Sequence, residues 1–349
     1  MVEWTTACSV GVNVAGILGC YFPTTVVFLD DDPAFSELML ESLRLKNMTV
    51  RKFANPLKAL DFINETSSSN YLDCSNLLRR DDEGSMSDWK SIMFNLNELH
   101  QKIYDLSRFA QISTLVVDYS MAEMNGVEFC KSVKGENIKK ILLTGAADEK
   151  IAVEAFNCGY IDRFIKKGSE NYLKDVENSI KKSAYHYFSS YTESVFKYLP
   201  AHEKNHLRDP IFAGFFSNIC ATKSHEEYYM LDGLGSCLFL DPQGRASLLS
   251  VLTEDEMEKI VSVGLESGEI AMDVEEILRS REYMLVSHSR TGKLPPVSEW
   301  AKYVQPARKL EGYQNYYFSL TGSQYLDLDF KEVKSFELFQ KTEKICGLF

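Results

Sequence analysis

Four short apolar runs in the first half of the chain each end in polar side chains. Val26–Leu29 is followed by Asp30, Asp31 and Asp32, and Thr114–Val117 by Asp118. Ile141–Leu143 is followed by Thr144, and Arg163–Ile165 by Lys166 and Lys167. Helical patterns lie between them. The first carries Phe35, Leu38, Met39, Leu40 and Leu43; later ones cover Val127–Val133, Glu149–Asn157 and Ser169–His186. Met48–Phe53 adds an edge-like strand and Pro56–Ile63 another helix. Short β-branched runs alternating with helices predict an α/β unit, a doubly wound five-stranded parallel sheet. Such sheets gather their chemistry outside the carboxyl ends of the strands, where all these polar residues fall.

About fifty residues separate Ile63 from Thr114. The stretch SSSNYLDCSNLLRRDDEGS reads as a loosely ordered loop. Trp89, Ile92, Met93, Leu96, Leu99, Ile103 and Leu106 then predict a helix from about 88 to 107, capped by Ser87 or Asp88. This is a helical insert over about 66–112, before the central strand. It reads either as padding of the sheet or as a contact surface.

The pattern changes after residue 187. Asp209–Cys220 predicts a helix. EEYYMLD, GSCLFLD and ASLLSVL predict an antiparallel meander, joined at Gly233–Gly235 and Asp241–Gly244. Thr253 and Glu256 form a capping box. A helix at Met272–Arg279, strands at Tyr283–Val286 and Tyr316–Leu320, and a last helix at Phe330–Phe339 complete an α+β domain. The expected domains are 22–180 and 187–349.

The chain has 349 residues and a formal net charge of -12. Residues 1–180 hold 26 acidic and 19 basic side chains, and 181–349 hold 24 and 19. Neither half has the basic balance of a broad nucleic-acid surface. Eight scattered cysteines without a CxxC pair suit a reducing cytoplasm. Cys130, Cys158, Cys220 and Cys237 read as buried thiols. Val10–Tyr21 resembles an export core, but Glu3 precedes it and no basic residue does; the expectation is a cytoplasmic protein with no membrane partner.

The strand-end residues suit one chemistry. Mg²⁺ takes one or two carboxylates with waters and phosphate oxygens. Asp31, Asp118 and the backbone carbonyl of Ser120 would supply ligands, with Asp30 completing the charge. Asp118 is positioned as a nucleophile toward phosphorus. Thr144 would donate to the transferred group, and Lys167 or Lys166 would pair with it. Taken singly, an Asp run is a solvated turn and a strand-end Thr means little. In the second half, Glu227 and Tyr228 read either as a strand packed on the core or as a pocket lining. No helix-turn-helix, HExxH, nucleophile elbow or phosphate loop is present, and no histidine pair gains a third ligand.

DDDP, DYSMAEMNG, LLTG and FIKKG together resemble the CheY-like, flavodoxin-like receiver domain of two-component response regulators, over roughly 22–180. The resemblance implies Mg²⁺-dependent transfer from a sensor histidine kinase or phosphotransfer protein to Asp118, with Asp30 and Asp31 as the acidic pair. Thr144 becomes the switch hydroxyl, Phe164 the switch aromatic, and Gly126 closes the loop after the acceptor. Counting from Phe164 favours Lys167 as the phosphate-pairing lysine; counting from Gly159 favours Lys166. Ala122 and Gly145 stand where proline and alanine are usual. The second half resembles an uncharacterised output domain found after receivers in Legionella and related bacteria. The whole chain resembles their quorum-sensing response regulators. That implies a homodimer on phosphorylation and an output likened to nucleotide-binding or nucleotide-processing enzymes; a protein- or ligand-binding output is the first reading, and a DNA-binding transcriptional regulator, against which the acidic balance speaks, is a further alternative.

Overall fold

A computed structural model describes residues 12–13, 16–43, 45, 47–66, 78–79, 93–94, 96–135, 137–145, 148–196, 207–222, 225–289 and 293–345. After a short antiparallel ladder of Val12–Asn13 with Gly16–Ile17, the elements in chain order are β1 (Cys20–Tyr21), β2 (Thr24–Leu29), α1 (Pro33–Ser42), β3 (Met48–Phe53) and α2 (Pro56–Thr66). Next come α3 (Leu96–Ile103), α4 (Ser107–Ala110), β4 (Ile112–Asp118), α5 (Gly126–Ser132), β5 (Lys139–Thr144), α6 (Glu149–Asn157), β6 (Arg163–Lys166) and α7 (Tyr172–Phe196). The remainder is α8 (Pro210–Thr222), β7 (Glu227–Met230), β8 (Cys237–Leu240), β9 (Ala246–Thr253), α9 (Glu254–Ser267), α10 (Met272–Arg279), β10 (Tyr283–Leu285), β11 (Val304–Pro306), β12 (Arg308–Glu311), β13 (Asn315–Gly322) and α11 (Phe336–Ile345).

The chain forms two compact units. One gathers Phe22–Leu72, Leu106–Tyr191 and Phe336–Phe349; the other gathers Met1–Tyr21, Asp73–Asp105 and Thr192–Ser335. The first unit is built on a parallel sheet in the order β6-β5-β4-β2-β3. Every residue of β2 and β4 is buried, because helices cover both faces of these strands. Alternate residues face opposite ways. Val27, Leu29, Leu115, Val117 and Leu142 pack with Ala59, Ile63, Phe129 and Ala152 from α2, α5 and α6. Val26, Phe28, Val116, Leu143 and Ile165 pack with Met39 of α1 and Val176 and Ile180 of α7. Each buried Val, Leu, Ile, Phe or Met among them contributes about 1.5–3 kcal/mol. This is the doubly wound sheet that the apolar runs predict.

The second unit holds a six-stranded sheet in the order β12-β13-β9-β8-β7-β1, with antiparallel pairing throughout. The α+β class and the meander β7-β8-β9 follow the sequence pattern. The capping box is present, with Thr253 accepting from the Glu256 N–H and Glu256 accepting from the Thr253 N–H.

Several expected elements differ. Of the helix expected from 88 to 107, the described residues hold α3 and the start of α4, and Met93–Phe94 pairs instead with Leu78–Arg79 as a short antiparallel ladder. An apolar pair serves either structure equally well. The caps at Ser87 and Asp88 lie outside the described residues. The helix from Ser169 starts at Tyr172, after a turn containing Gly168 at φ +79, and continues to Phe196 because no glycine or proline interrupts it. The last helix is Phe336–Ile345, not Phe330–Phe339. The segment before it turns at Asp329–Glu332 and is tied down from elsewhere: the Asp329 carbonyl accepts from the Tyr104 hydroxyl, and the Lys334 N–H donates to the Ile103 carbonyl. Strands β11 and β12 are additions, and β12 is an exposed edge with no apolar alternation to reveal it. Cys158 is exposed at the end of α6, whereas Cys130, Cys220 and Cys237 are buried.

α11 belongs to the parallel-sheet unit. Its Phe336 and Phe339 rings lie 5.2 and 5.6 Å from the Phe109 ring, and Glu343 pairs with Arg51 of β3. Among the described residues no helix is long and apolar enough to cross a membrane.

Candidate phosphoacceptor site

The carboxyl ends of β2, β4 and β6 bring Asp30, Asp31, Asp118 and Lys167 together. One oxygen from each of the three carboxylates falls within 4.8 Å of the others. Asp30 and Asp118 are buried and Asp31 is exposed. The Lys167 ammonium lies 2.9 Å from Asp118 Oδ1 and 3.0 Å from Asp30 Oδ2. Lys166 instead reaches Glu149, at 3.9 Å. The pleat separates the two lysines. Lys166 pairs with Thr144 across β5 and β6, and Lys167 follows the buried Ile165.

Local structure fixes each carboxylate. Asp30 Oδ1 accepts from the Asp32 N–H at 2.9 Å, and Asp31 Oδ2 accepts from the Ala122 N–H at 2.9 Å. Asp32 caps α1, accepting from the Ala34 and Phe35 N–H groups, with Pro33 at the first helical position. After Asp118 the chain turns sharply: the Gly126 N–H donates to the Tyr119 carbonyl at 2.9 Å. A Cβ at Gly126 would collide with the Asp118 carbonyl and Leu142, so only glycine permits this approach. Ser120 sits exposed in that loop.

Electrostatics follow from burial. Burial raises the Asp118 pKa, and the charge of Asp30 adds to the rise, while Lys167 opposes both. Burial alone would lower the Lys167 pKa, but hydrogen bonds and attraction from Asp118 and Asp30 outweigh it and raise it. Among the described residues one ammonium pairs with two of the three carboxylates, which leaves the cluster a formal excess of two negative charges. A clustered oxygen donor set with excess negative charge fits a hard divalent cation.

Thr144 ends β5, buried, and its carbonyl accepts from the Lys167 N–H at 2.8 Å. Phe164 is partly buried, pairs with Leu142, and packs against the core on that side. The period of two puts Thr144, Leu142 and Phe164 on one face of the sheet. The sequence pattern placed Phe35 in the first helix but gave it no part in the site. Its ring centroid lies 4.3 Å from the Lys167 ammonium. An aromatic one turn into α1 was the available signal.

Glu227 and Tyr228 are not part of this cluster. Tyr228 is 1% exposed, its ring packed between Phe216, Phe239 and Tyr21. Glu227, also buried, accepts from the Tyr229 hydroxyl at 2.5 Å.

A doubly wound sheet of this order, with a carboxylate cluster at its carboxyl edge, defines the receiver of a phosphorelay. No protein-family model matches the chain, and no curated protein matches it. The structure of the Legionella pneumophila response regulator LqsR is 31% identical, matches over 93% of this chain and 95% of its own, and has a TM-score of 0.73. The chain belongs to the same response-regulator family. An adenylate cyclase structure from Rhodopirellula baltica is 19% identical, covering 51% of this chain and all of its own at a TM-score of 0.34. A CheY-like receiver from Methanospirillum hungatei is 16% identical, covering 48% of this chain and 98% of its own at 0.32.

Proposed function

We propose that Asp118 accepts a phosphoryl group from a phosphorylated histidine on a sensor kinase or phosphotransfer protein. The observation that carries this is the buried Asp118 carboxylate at the end of β4, flanked by Lys167 and two further carboxylates. An Asp118 carboxylate oxygen attacks phosphorus, and the new O–P bond forms as the N–P bond breaks. The electron pair stays on the imidazole nitrogen, which then takes a proton from solvent. Lys167 transfers its pairing from Asp118 to a phosphoryl oxygen. Asp30, Asp31, Asp118 and the Ser120 carbonyl suit Mg²⁺, which when bound would offset the charge between carboxylates and phosphoryl oxygens.

Thr144 donates its hydroxyl to the phosphoryl group, and Phe164, on the same sheet face, follows it inward. This is a shift between two populated states. The response is read out by assembly of two copies and by the second unit. The kinship with LqsR supports a role in quorum-sensing signalling.

The test is intact mass with solution molar mass, before and after Mg²⁺ and phosphoramidate. Wild type gains one phosphoryl group and shifts from monomer to dimer, whereas Asp118→Asn gains none. Equal labelling of the two proteins would sink the acceptor assignment. Labelling without the mass shift would remove assembly from the proposal.

A further inference from the structure

We infer that Phe35 is a positioning residue for Lys167, its ring face holding the ammonium over the Asp30–Asp118 pair. The inference rests on the phosphoacceptor reading and adds a residue to it.

The Lys167 ammonium lies 4.3 Å from the Phe35 centroid, within the ~6 Å range of cation–π attraction. The same ammonium touches Asp118 Oδ1 at 2.9 Å and Asp30 Oδ2 at 3.0 Å. Three groups from α1, β2 and β4 therefore confine a side chain with a long flexible stem. Phe35 is itself fixed. Its N–H donates to the Asp32 cap at 3.2 Å. Its ring leans on Tyr172, with centroids 6.5 Å apart and planes tilted by 43°. The Tyr172 hydroxyl lies 3.4 Å from Met39 Sδ. The support thus comes from the first turns of α1 and α7.

The chemistry explains why a ring suits this position. When Asp118 takes the phosphoryl group, the ammonium must pivot from a carboxylate oxygen to a phosphoryl oxygen. A third carboxylate in place of the ring would compete for it. A ring face attracts the cation without a directed hydrogen bond, so the ammonium pivots while remaining held. Phe35 also packs against the core, and a purely structural role would show in the fold alone.

The test is a double-mutant cycle on the full chain, following phosphorylation by phosphoramidate with Mg²⁺ as an intact-mass time course. Phe35→Leu slows labelling about three- to tenfold, and Phe35→Tyr, which keeps the ring, stays within about twofold of wild type. In a Lys167→Ala background, Phe35→Leu adds less than about twofold, because the group it positions is gone. Equal slowing by Phe35→Leu in both backgrounds would overturn the inference, as would no slowing, or a Phe35→Tyr as slow as Phe35→Leu. A wild type labelled by neither phosphoramidate nor a cognate kinase would instead overturn the phosphoacceptor reading, and the inference with it.

Discussion

Both units bury acidic side chains, but they treat them differently. In the second unit Asp209 accepts from the Ile211 and Tyr313 N–H groups and the Tyr316 hydroxyl. Asp232 accepts from the Leu234 and Ser236 N–H groups, and Glu227 from the Tyr229 hydroxyl. Those carboxylates are held by neutral donors within their own unit. In the first unit, Asp30 and Asp118 sit beside Asp31 with a single ammonium between them. The difference teaches where to look for chemistry. A buried acid surrounded by donors is part of the architecture. Two buried acids crowded beside an exposed third, with one countercharge among them, wait for something from outside.

The largest expected effect falls on the satisfied acid. Asp209→Ala removes the cap at the start of α8 and leaves the Tyr313 N–H and the buried Tyr316 hydroxyl without their acceptor. The second unit should lose about 3 kcal/mol, read as a lower urea midpoint. A midpoint unchanged within about 0.5 kcal/mol would erase the contrast. Gly312 sharpens it, because a Cβ there would strike the Asp209 carboxylate.

Cation addition probes the other side of the comparison. Mg²⁺ at one hundred times its dissociation constant should stabilise the first unit by about 2.7 kcal/mol, through binding to the native state only. Asp31→Asn should reduce that gain while leaving the second unit's transition unchanged. Equal stabilisation of wild type and Asp31→Asn would remove the acidic cluster as the binding site.

The smallest effect is in pH and has opposite signs in the two units. Asp209 has a lowered pKa: burial would raise it, but its hydrogen bonds from Tyr313, Tyr316 and Ile211 outweigh that. Its contribution to stability is present above the ordinary carboxyl value of about 3.9 and is lost as pH falls through its depressed folded value. Asp118 has a raised pKa, chiefly from burial. Its charged form is penalised in the folded state, so cation-free protein is relieved as pH falls through the raised value. Mild acidification in EDTA should therefore stabilise the first unit slightly before it harms the second. Asp118→Asn should abolish that rise, measured by thermal melts from pH 7 downward.

Much of the first unit was legible in its sequence. A strand covered on both faces must be apolar through its middle, and Val26–Leu29 and Leu115–Val117 meet that demand with a carboxylate next in the chain, while Thr24, Thr25 and Ser113 at the other end are buried with their hydroxyls hydrogen-bonded. The acidic residues of the cluster were legible for the same reason, as polar groups at strand termini. The exposed strand Arg308–Glu311 was hidden, because an edge open to water imposes no apolar pattern. The helix Phe336–Ile345 was misplaced by six residues, because the segment before it is tied to distant residues, Asp329 to the Tyr104 hydroxyl and Lys334 to the Ile103 carbonyl.

What the sequence determined alone was local: which runs form strands, where they end, and which helix starts are capped. The Thr253–Glu256 box and the Asp32 cap are of this kind, since their partners lie within three residues. Only the tertiary structure decided which lysine meets Asp118. Lys166 and Lys167 are chemically alike, and a single step along the strand turns one toward Glu149 and the other into the carboxylates. Only the tertiary structure set Phe35 under that ammonium and sealed Tyr228 among rings. Those contacts join residues distant in the chain, and no local period encodes which distant surface a side chain will meet.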